Sequence, residues 1–320
     1  MTRTEERMIE LSTVQRRIIA ALQVDGRATW RKIAAVLDLP ERSVARHGAW
    51  LLENGLVTVA AIRHREHSLL IACTCAPGTG RIASESLSSR PDTSFSYQVT
   101  GREDLVVEMH YNGDVTEVLS LELPATPGVS SIVVYPVLKY FKTIRGWRLG
   151  SLKPAEELAL QKDPDVTSWR IQPNLNSKDE QIIDALHDDG RASFESIARR
   201  VAMSETSVAR RIDWLLSTGQ IAIRALVEPL AVGLPVEALL WVSTTPSQVE
   251  KLGQRLATRP EVRYAAAVAG DCQLVVDVTV ANQAELYDFI SHSAWGNSML
   301  QVKASLVVSA RKRGGRLISS

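Results

Sequence analysis

Residues 189–219 read DGRASFESIARRVAMSETSVARRIDWLLSTG, and residues 25–55 read DGRATWRKIAAVLDLPERSVARHGAWLLENG. The two stretches align without a gap. Taken from Leu11–Val57 against Leu175–Ile221, 20 of 47 positions are identical, far beyond chance likeness. The shared residues are Asp-Gly-Arg-Ala, Ile-Ala, Ser-Val-Ala-Arg, Trp-Leu-Leu and a late Gly. One unit is present twice, and its reading decides the fold.

Each copy resolves into three helical segments. In the second, Asn176 or Ser177 caps a helix that puts Ile182, Ile183 and Leu186 on one face and stops at Gly190. Ser193 opens another, expected to bury Phe194, Ile197, Ala198 and Val201. A third runs from Ser204 to Gly219, a residue suited to the left-handed turn after a helix. On it Val208, Ile212, Leu215 and Leu216 form the inward stripe. Thr206, Ser207 and Arg210 point the opposite way, with Arg211 at the edge. Two short helices, a tight turn and a helix carrying hydroxyls and arginines outward make a helix-turn-helix pattern. The first copy places Arg42, Ser43, Arg46 and His47 at the equivalent positions. A small three-helix bundle with a solvated charged face is the bland alternative for either copy alone.

Such a face suits DNA. Arginine takes guanine O6 and N7 with two hydrogen bonds, and Ser or Thr bonds a base edge or a phosphate. The helix N-terminus adds free N–H groups. Ser204 caps the third helix of the second copy, whereas Pro40 stands there in the first. Trp50 and Trp214 lie one turn beyond Arg46 and Arg210, placed either to stack on those cations or to pack against the neighbouring domain.

After Gly219 the period changes. QIAIRALV alternates like a strand and is placed to form a wing. Strand VEALLWVST, helix PSQVEKLGQRLATR, strands PEVRYAAAVAG and CQLVVDVTV, helix NQAELYDFISHSA and strand QVKASLVVSA follow. That βαββαβ order is a ferredoxin-like sandwich. The first half repeats it more weakly, with Arg90-Pro91 matching Arg259-Pro260 and Gly101 matching Gly270. The fold class is therefore α+β, a tandem repeat of a winged helix-turn-helix and a ferredoxin-like sandwich. The expected boundaries are helix-turn-helix domains at 8–62 and 175–226 and sandwiches at 66–148 and 234–311. A linker covers 149–174, and a basic tail 312–320. In CQLVVDVTV both faces carry apolar groups, so one face takes helices and the other a second sheet.

The bulk composition agrees with a globular chain of more than one domain: 320 residues, 45% hydrophobic and 23% charged. No apolar run nears the roughly 18 residues of a membrane helix, and the polar N-terminus lacks a signal-peptide core. Three cysteines imply no disulfide framework. These features lead to the expectation of a cytoplasmic protein without a membrane partner. The net charge of +1 hides an asymmetry. Residues 12–65 hold nine Lys and Arg against four Asp and Glu, and residues 176–224 hold seven against eight. The first copy is the more cationic and suits a polyanion better.

A helix-turn-helix followed by βαββαβ resembles the Lrp/AsnC family of feast/famine transcriptional regulators. The motifs are Asp-Gly-Arg-Ala before the second helix, SETSVARRIDWL as the reading helix, GREDL at Gly101 and its altered form GDCQL at Gly270, and ELPATPGVSSIVVYPVLKYF from Glu122 to Phe141. The double copy resembles the fused members found in actinobacteria. The resemblance implies sequence-specific binding of double-stranded DNA by Arg42, Ser43, Arg46, His47, Thr206, Ser207, Arg210 and Arg211. It implies association through the sandwiches, here as a homodimer of pseudo-dimeric chains. It also implies a small effector such as an amino acid near Gly101, Asp104, Gly270, Asp271 and Gln273. Gln273 departs from the carboxylate kept as Asp104.

Two rival readings stand beside it. One is an enzyme like the siroheme decarboxylases, which resemble this family; here Tyr97 and Arg102 echo their motif, whereas its His and Trp are missing. The other is an effector sensor with degenerate DNA-binding units. Cys73 and Cys75 alternate onto one strand face without a second pair at zinc spacing. His47, His64, His67, His110, His187 and His292 show no catalytic spacing, and no phosphate loop appears. No metal, cofactor or catalytic residue is expected.

Overall fold

The structure is a computed structural model that describes residues 11–63, 67–111, 113–144, 146–161, 175–293, 295 and 299–318. The first half begins with α1 (Thr13–Val24), α2 (Trp30–Leu37) and α3 (Glu41–Glu53), followed by β1 (Val57–Arg63). Then come β2 (His67–Cys75), α4 (Gly80–Ser89), β3 (Thr93–Val99), β4 (Leu105–Tyr111) and the long β5 (Val129–Lys142). Helix α5 (Pro154–Leu160) closes the half.

The second half repeats the series as α6 (Ser177–Asp188), α7 (Phe194–Val201), α8 (Glu205–Ser217) and β6 (Ile221–Val227). It continues with β7 (Val236–Thr244), α9 (Val249–Ala257), β8 (Val262–Val268), β9 (Leu274–Val280), α10 (Gln283–Asp288), β10 (Met299–Arg313) and β11 (Arg316–Leu317). The second helix of each βαββαβ series is shorter than the sequence leads one to expect. In the first half its main part is a π-helical turn, Val118–Glu122, and in the second α10 runs into another, Phe289–Ser293.

The chain forms two compact units, each drawn from both halves. One comprises Met1–His64 and Arg148–Gly233, and the other Arg65–Trp147 and Leu234–Ser320. In the helical unit, local chemistry starts each helix. Ser12 and Asn176 form capping boxes on α1 and α6, and Thr29, Ser193 and Ser204 cap α2, α7 and α8. Pro40 starts α3 without a side-chain cap. The turn after α2 is left-handed at Asp38 (φ 53°), and the turn after α7 is left-handed at Ala202 (φ 50°). Part of the expected linker is ordered: α5 lies on the first triplet, where Arg17 donates to Glu156 at 2.9 Å and Lys32 to the Leu160 carbonyl at 2.8 Å. The rest of that linker, 162–174, and His64 lie outside the described residues.

In the β-rich unit, the strand order is β11-β10-β3-β4-β2-β5-β8-β9-β7, and β10 also pairs with β7. Numbered within its own half, each set of four strands runs 4-1-3-2. The last strand of each set is long because it serves twice. Strand β5 pairs β2 through Val129–Pro136 and β8 through Val137–Lys142, and β10 likewise pairs β7 and then β3. The alternation in β9 sorts as the sequence requires. Leu274, Val276 and Val278 face a core with Leu252, Leu256 and Leu286 from the helices, and Val275 joins a second core. That second core holds residues of both halves, including Leu70, Phe95, Tyr97, Tyr135, Trp241 and Tyr264.

The expected basic tail is not a tail. Lys312 and Arg313 end β10 and are buried, and β11 folds back to pair with them. Inside, Arg313 is bidentate on Glu237, and Lys312 donates to the Arg90 carbonyl.

Candidate nucleic-acid interface and the pairing of the two copies

On α3, Arg42 and Arg46 are exposed and Ser43 and His47 half-buried; on α8, Thr206 and Arg210 are exposed and Ser207 half-buried. Val44, Gly48 and Leu51 on the one helix, and Val208, Ile212 and Leu215 on the other, are buried against their triplets. The amphipathic division read from the sequence sets this orientation. Among the described residues, Arg42, Arg46 and Arg210 form no ion pair.

Arg211 is placed differently. Its guanidinium grips Asp179 through two nitrogens and lies 4.1 Å from the Trp214 ring centre. Asp179 is fully buried and also caps the start of α6 by accepting from Asn176 N at 2.9 Å. Burial works against that carboxylate's charge, but Arg211 and the Asn176 N–H hold its pKa below the usual range. Arg211 therefore ties α8 to α6 and is only partly exposed. The cation stacked on Trp214 is this residue, not the Arg210 considered from spacing alone.

The Asp-Gly-Arg-Ala turns, which lie off the reading helices, carry the pairing of the copies. Asp25 and Asp189 accept from the backbone N–H groups of Arg27 and Arg191 at 3.0 and 2.8 Å. Arg27 donates to the carbonyls of Gly190 (2.7 Å) and Ala192 (2.9 Å), and Arg191 donates to those of Gly26 (2.7 Å) and Ala28 (3.1 Å). Each guanidinium also covers an aromatic ring of the other copy: Arg27 covers Phe194 at 5.1 Å, and Arg191 covers Trp30 at 4.4 Å. Phe194, expected in the core, is consequently 37% exposed. The glycines admit the other copy's strand. A Cβ on Gly26 meets the Ile223 carbonyl oxygen at 3.1 Å, and one on Gly190 meets the Ala60 nitrogen at 2.9 Å. The strand read as a wing, β6, pairs with β1 of the other copy, antiparallel, from Val57↔Val227 to Arg63↔Ile221.

The β-rich unit repeats the reciprocity. Lys312 reaches the Arg90 carbonyl, and Lys142 reaches the Arg259 carbonyl at 2.9 Å, which gives the repeated Arg-Pro turns their role. The residues expected to hold an effector also have structural partners. Asp104 Oδ2 accepts from Cys75 N at 2.7 Å, and Gln273 Oε1 accepts from Thr244 N at 3.0 Å. The amide thus does at its strand end what the carboxylate does at the other. Gly101 (φ 115°) needs its lack of a side chain, and a Cβ on Gly270 strikes the Tyr135 ring at 2.5 Å. Beside Gly101, Thr100 N donates to the Leu306 carbonyl at 2.8 Å; beside Gly270, Ala269 N donates to that of Pro136 at 2.9 Å. Burial and the neighbouring Asp271 carboxylate raise the Tyr135 hydroxyl pKa.

A buried charged cluster escaped the sequence reading because its members are scattered over four strands. Glu237 accepts both nitrogens of Arg313 and one of Arg263, Arg313 also donates to the Tyr97 hydroxyl at 2.9 Å, and Asp277 adjoins. Burial and the neighbouring Glu237 charge push Asp277 up to about 8. Burial opposes the Glu237 charge as well, yet Arg313 and Arg263 hold that carboxyl below its usual range. In the other half, Glu108 accepts from the Tyr140 and Tyr264 hydroxyls, each at 2.9 Å, and burial raises its pKa. No group of three or more His, Cys, Asp or Glu suited to a metal occurs among the described residues. No described helix is long and apolar enough to cross a membrane.

Helix triplets with cationic outer faces, joined to a separate β-rich unit, define a helix-turn-helix protein with an added α/β module. Comparison with known families bears this out. Residues 11–58 match a winged helix-turn-helix DNA-binding model, 175–216 the AsnC-type helix-turn-helix domain, and 237–317 the Lrp/AsnC ligand binding domain. An uncharacterized HTH-type transcriptional regulator of Pyrococcus horikoshii is 31% identical over 142 residues, 44% of this chain and 90% of the relative. The leucine-responsive regulatory protein of Rhizobium meliloti is 29% identical over 124 residues, 38% and 80%. The crystal structure of the siroheme decarboxylase NirDL superposes with a TM-score of 0.64 at 14% identity over 94% of this chain and 92% of that one, a likeness of fold. The chain belongs to the Lrp/AsnC family, whose members join a helix-turn-helix to a ligand-binding domain.

Proposed function

We propose that this chain is a sequence-specific, double-stranded-DNA-binding transcriptional regulator, a tandem form in which two winged helix-turn-helix domains and two ferredoxin-like sandwiches share one polypeptide. The observation that carries the reading is the outer face of α3 and α8, where Arg42, Arg46 and Arg210 stand exposed over a buried apolar stripe, with no ion pair among the described residues. Ser43, His47, Thr206 and Ser207 supply hydrogen-bonding groups beside them, and Arg211 contributes by steadying α8. DNA as partner implies work in the cytoplasm. The small effector, an amino acid or a related metabolite, belongs near Gly101 and Asp104 or near Gly270, Asp271 and Gln273. Two chains associate into a homodimer. The chain acts by binding rather than catalysis, in keeping with relatives named as transcriptional regulators.

A gel shift with the DNA upstream of the protein's own coding sequence, against random duplex at moderate salt, tests the reading. A preference for the upstream DNA is expected, with affinity falling steeply as salt rises because phosphate contacts dominate. Equal binding to both duplexes removes it.

A further inference from the structure

We propose that the two Asp-Gly-Arg-Ala turns set the distance between the reading helices of one chain, and with it the spacing of the two DNA sites that the chain accepts. The inference rests on the DNA-binding reading above. Arg27 and Arg191 belong to the turns before α2 and α7, not to α3 or α8, so a role in reading bases does not explain why both copies keep them. What they do is reciprocal. Each guanidinium spans two carbonyls of the opposing turn and covers an aromatic ring there. Arg27 holds its two acceptors with two nitrogens of one planar fork, and Arg191 holds both of its acceptors through one nitrogen while the guanidinium plane covers Trp30. A planar group held in this way fixes direction as well as distance, which a lysine cannot do.

The clasp reaches a reading helix through one further contact. Trp30, the ring under Arg191, lies against Gly48 of α3 so closely that a Cβ there falls 2.4 Å from the ring. Helix α3 is thus seated on a ring that the other copy's arginine holds. Behind the turns, β1 and β6 pair over seven residues. Two reading helices on so stiff a frame meet one duplex only at sites separated by the matching length and helical phase.

The test uses the full chain and its double variant Arg27→Lys/Arg191→Lys, which keeps both charges and so the charge-driven part of DNA affinity. Duplexes carry two copies of the preferred site with the gap changed one base pair at a time. The wild-type chain is expected to bind about tenfold or more weakly when the sites move half a helical turn, roughly 5 base pairs, from the best gap. The variant should bind a single site as the wild type does while its dependence on the gap falls to about twofold.

A second measurement needs no DNA. Spin labels at Glu53→Cys and Ser217→Cys, the exposed last residues of α3 and α8, are placed in a Cys75→Ser background; Cys73 and Cys272 are buried. A narrow distance distribution in the parent that broadens in the lysine variant supports the clasp. A variant whose distribution and gap preference both match the parent overturns the proposal. If the parent shows no preference among DNA sequences, the proposed function fails and the spacing claim fails with it, and the label distances still report whether the clasp holds.

Discussion

Ala202 occupies a left-handed backbone conformation (φ 50°), where a Cβ is strained by roughly 1–2 kcal/mol. Replacing it with glycine removes that strain at the cost of a more flexible unfolded chain. Ala202→Gly is expected to stabilise the protein by a few tenths to about 1 kcal/mol, read from the midpoint of chemical unfolding; a lower midpoint contradicts the strain argument. Gly48 presents the opposite case, because its missing side chain is the space that the Trp30 ring fills. Gly48→Ala should destabilise by about 1–3 kcal/mol despite better helix propensity, and Trp30→Phe should recover part of the loss. The second copy has Phe194 and Ile212 at the equivalent positions. Asp277 lends itself to a pH experiment. Its pKa is raised to about 8 by burial and by Glu237, far above the value near 4 of an unfolded chain. Its stabilising contribution is therefore complete below about pH 4 and is lost as pH climbs to about 8, on the order of 1 kcal/mol per unit. Asp277→Asn keeps a donor toward Glu237 without a titrating proton. The melting temperature of the wild type should fall relative to this variant between pH 6 and 8, and parallel curves refute the assignment.

At the scale of elements, the two reading helices look alike in sequence and differ in how they are held. Helix α3 lacks a side-chain cap and presents Arg42, Arg46 and His47; α8 is capped by Ser204 and anchored by Arg211 on Asp179. The positions equivalent to Arg211 and Asp179 in the first copy are His47 and Gln15, so that anchor has no counterpart there. Together with the cationic first copy, this leads us to expect that Arg46→Ala weakens DNA binding more than Arg210→Ala, by about 1–3 kcal/mol against less. Equal losses in a titration of the preferred duplex count against the asymmetry. Arg211→Ala should act first on stability, since it strands a buried carboxylate; the cost is a few kcal/mol at most, Arg211 being partly exposed. Periodicity and capping residues made these helices legible, because the burial of one face is a local pattern. The partner of Arg211 was not legible: Asp179 lies 32 residues away on another helix, and no spacing rule connects them.

For the whole molecule, the repeat announced two copies and the double apolar faces of β9 announced a second sheet, so most of the architecture was readable in advance. The reciprocal contacts were not. Asp-Gly-Arg-Ala and Arg-Pro stood out as identical pairs, yet an arginine that reaches a carbonyl more than 160 residues distant leaves no periodic trace. The β10 cations looked like a solvated tail because the acceptors that bury them, Glu237 and the Arg90 carbonyl, belong to other strands. Both halves already pair within one chain, so pairing should not depend on concentration. Light scattering should find roughly twice the chain mass of 35.2 kDa for the proposed homodimer. A mass that stays at one chain removes the dimer and leaves the internal pairing standing. Amino acids at millimolar concentration should raise the melting temperature if one is the effector, since a ligand of the native state must stabilise it.

Strand β10 serves both sheets, and this has a bearing on how the protein is made. Strand β3 receives its outer neighbour from Val307–Lys312, over two hundred residues further along. While the ribosome is still producing the second half, β3 therefore waits with an open edge, of the kind that recruits strands from other molecules. Loop closure over such a separation makes this pairing slow to form. A segment made over two hundred residues later seals the first half, so a chain stopped short of β10 is left with two unfinished sheets and a tendency to aggregate.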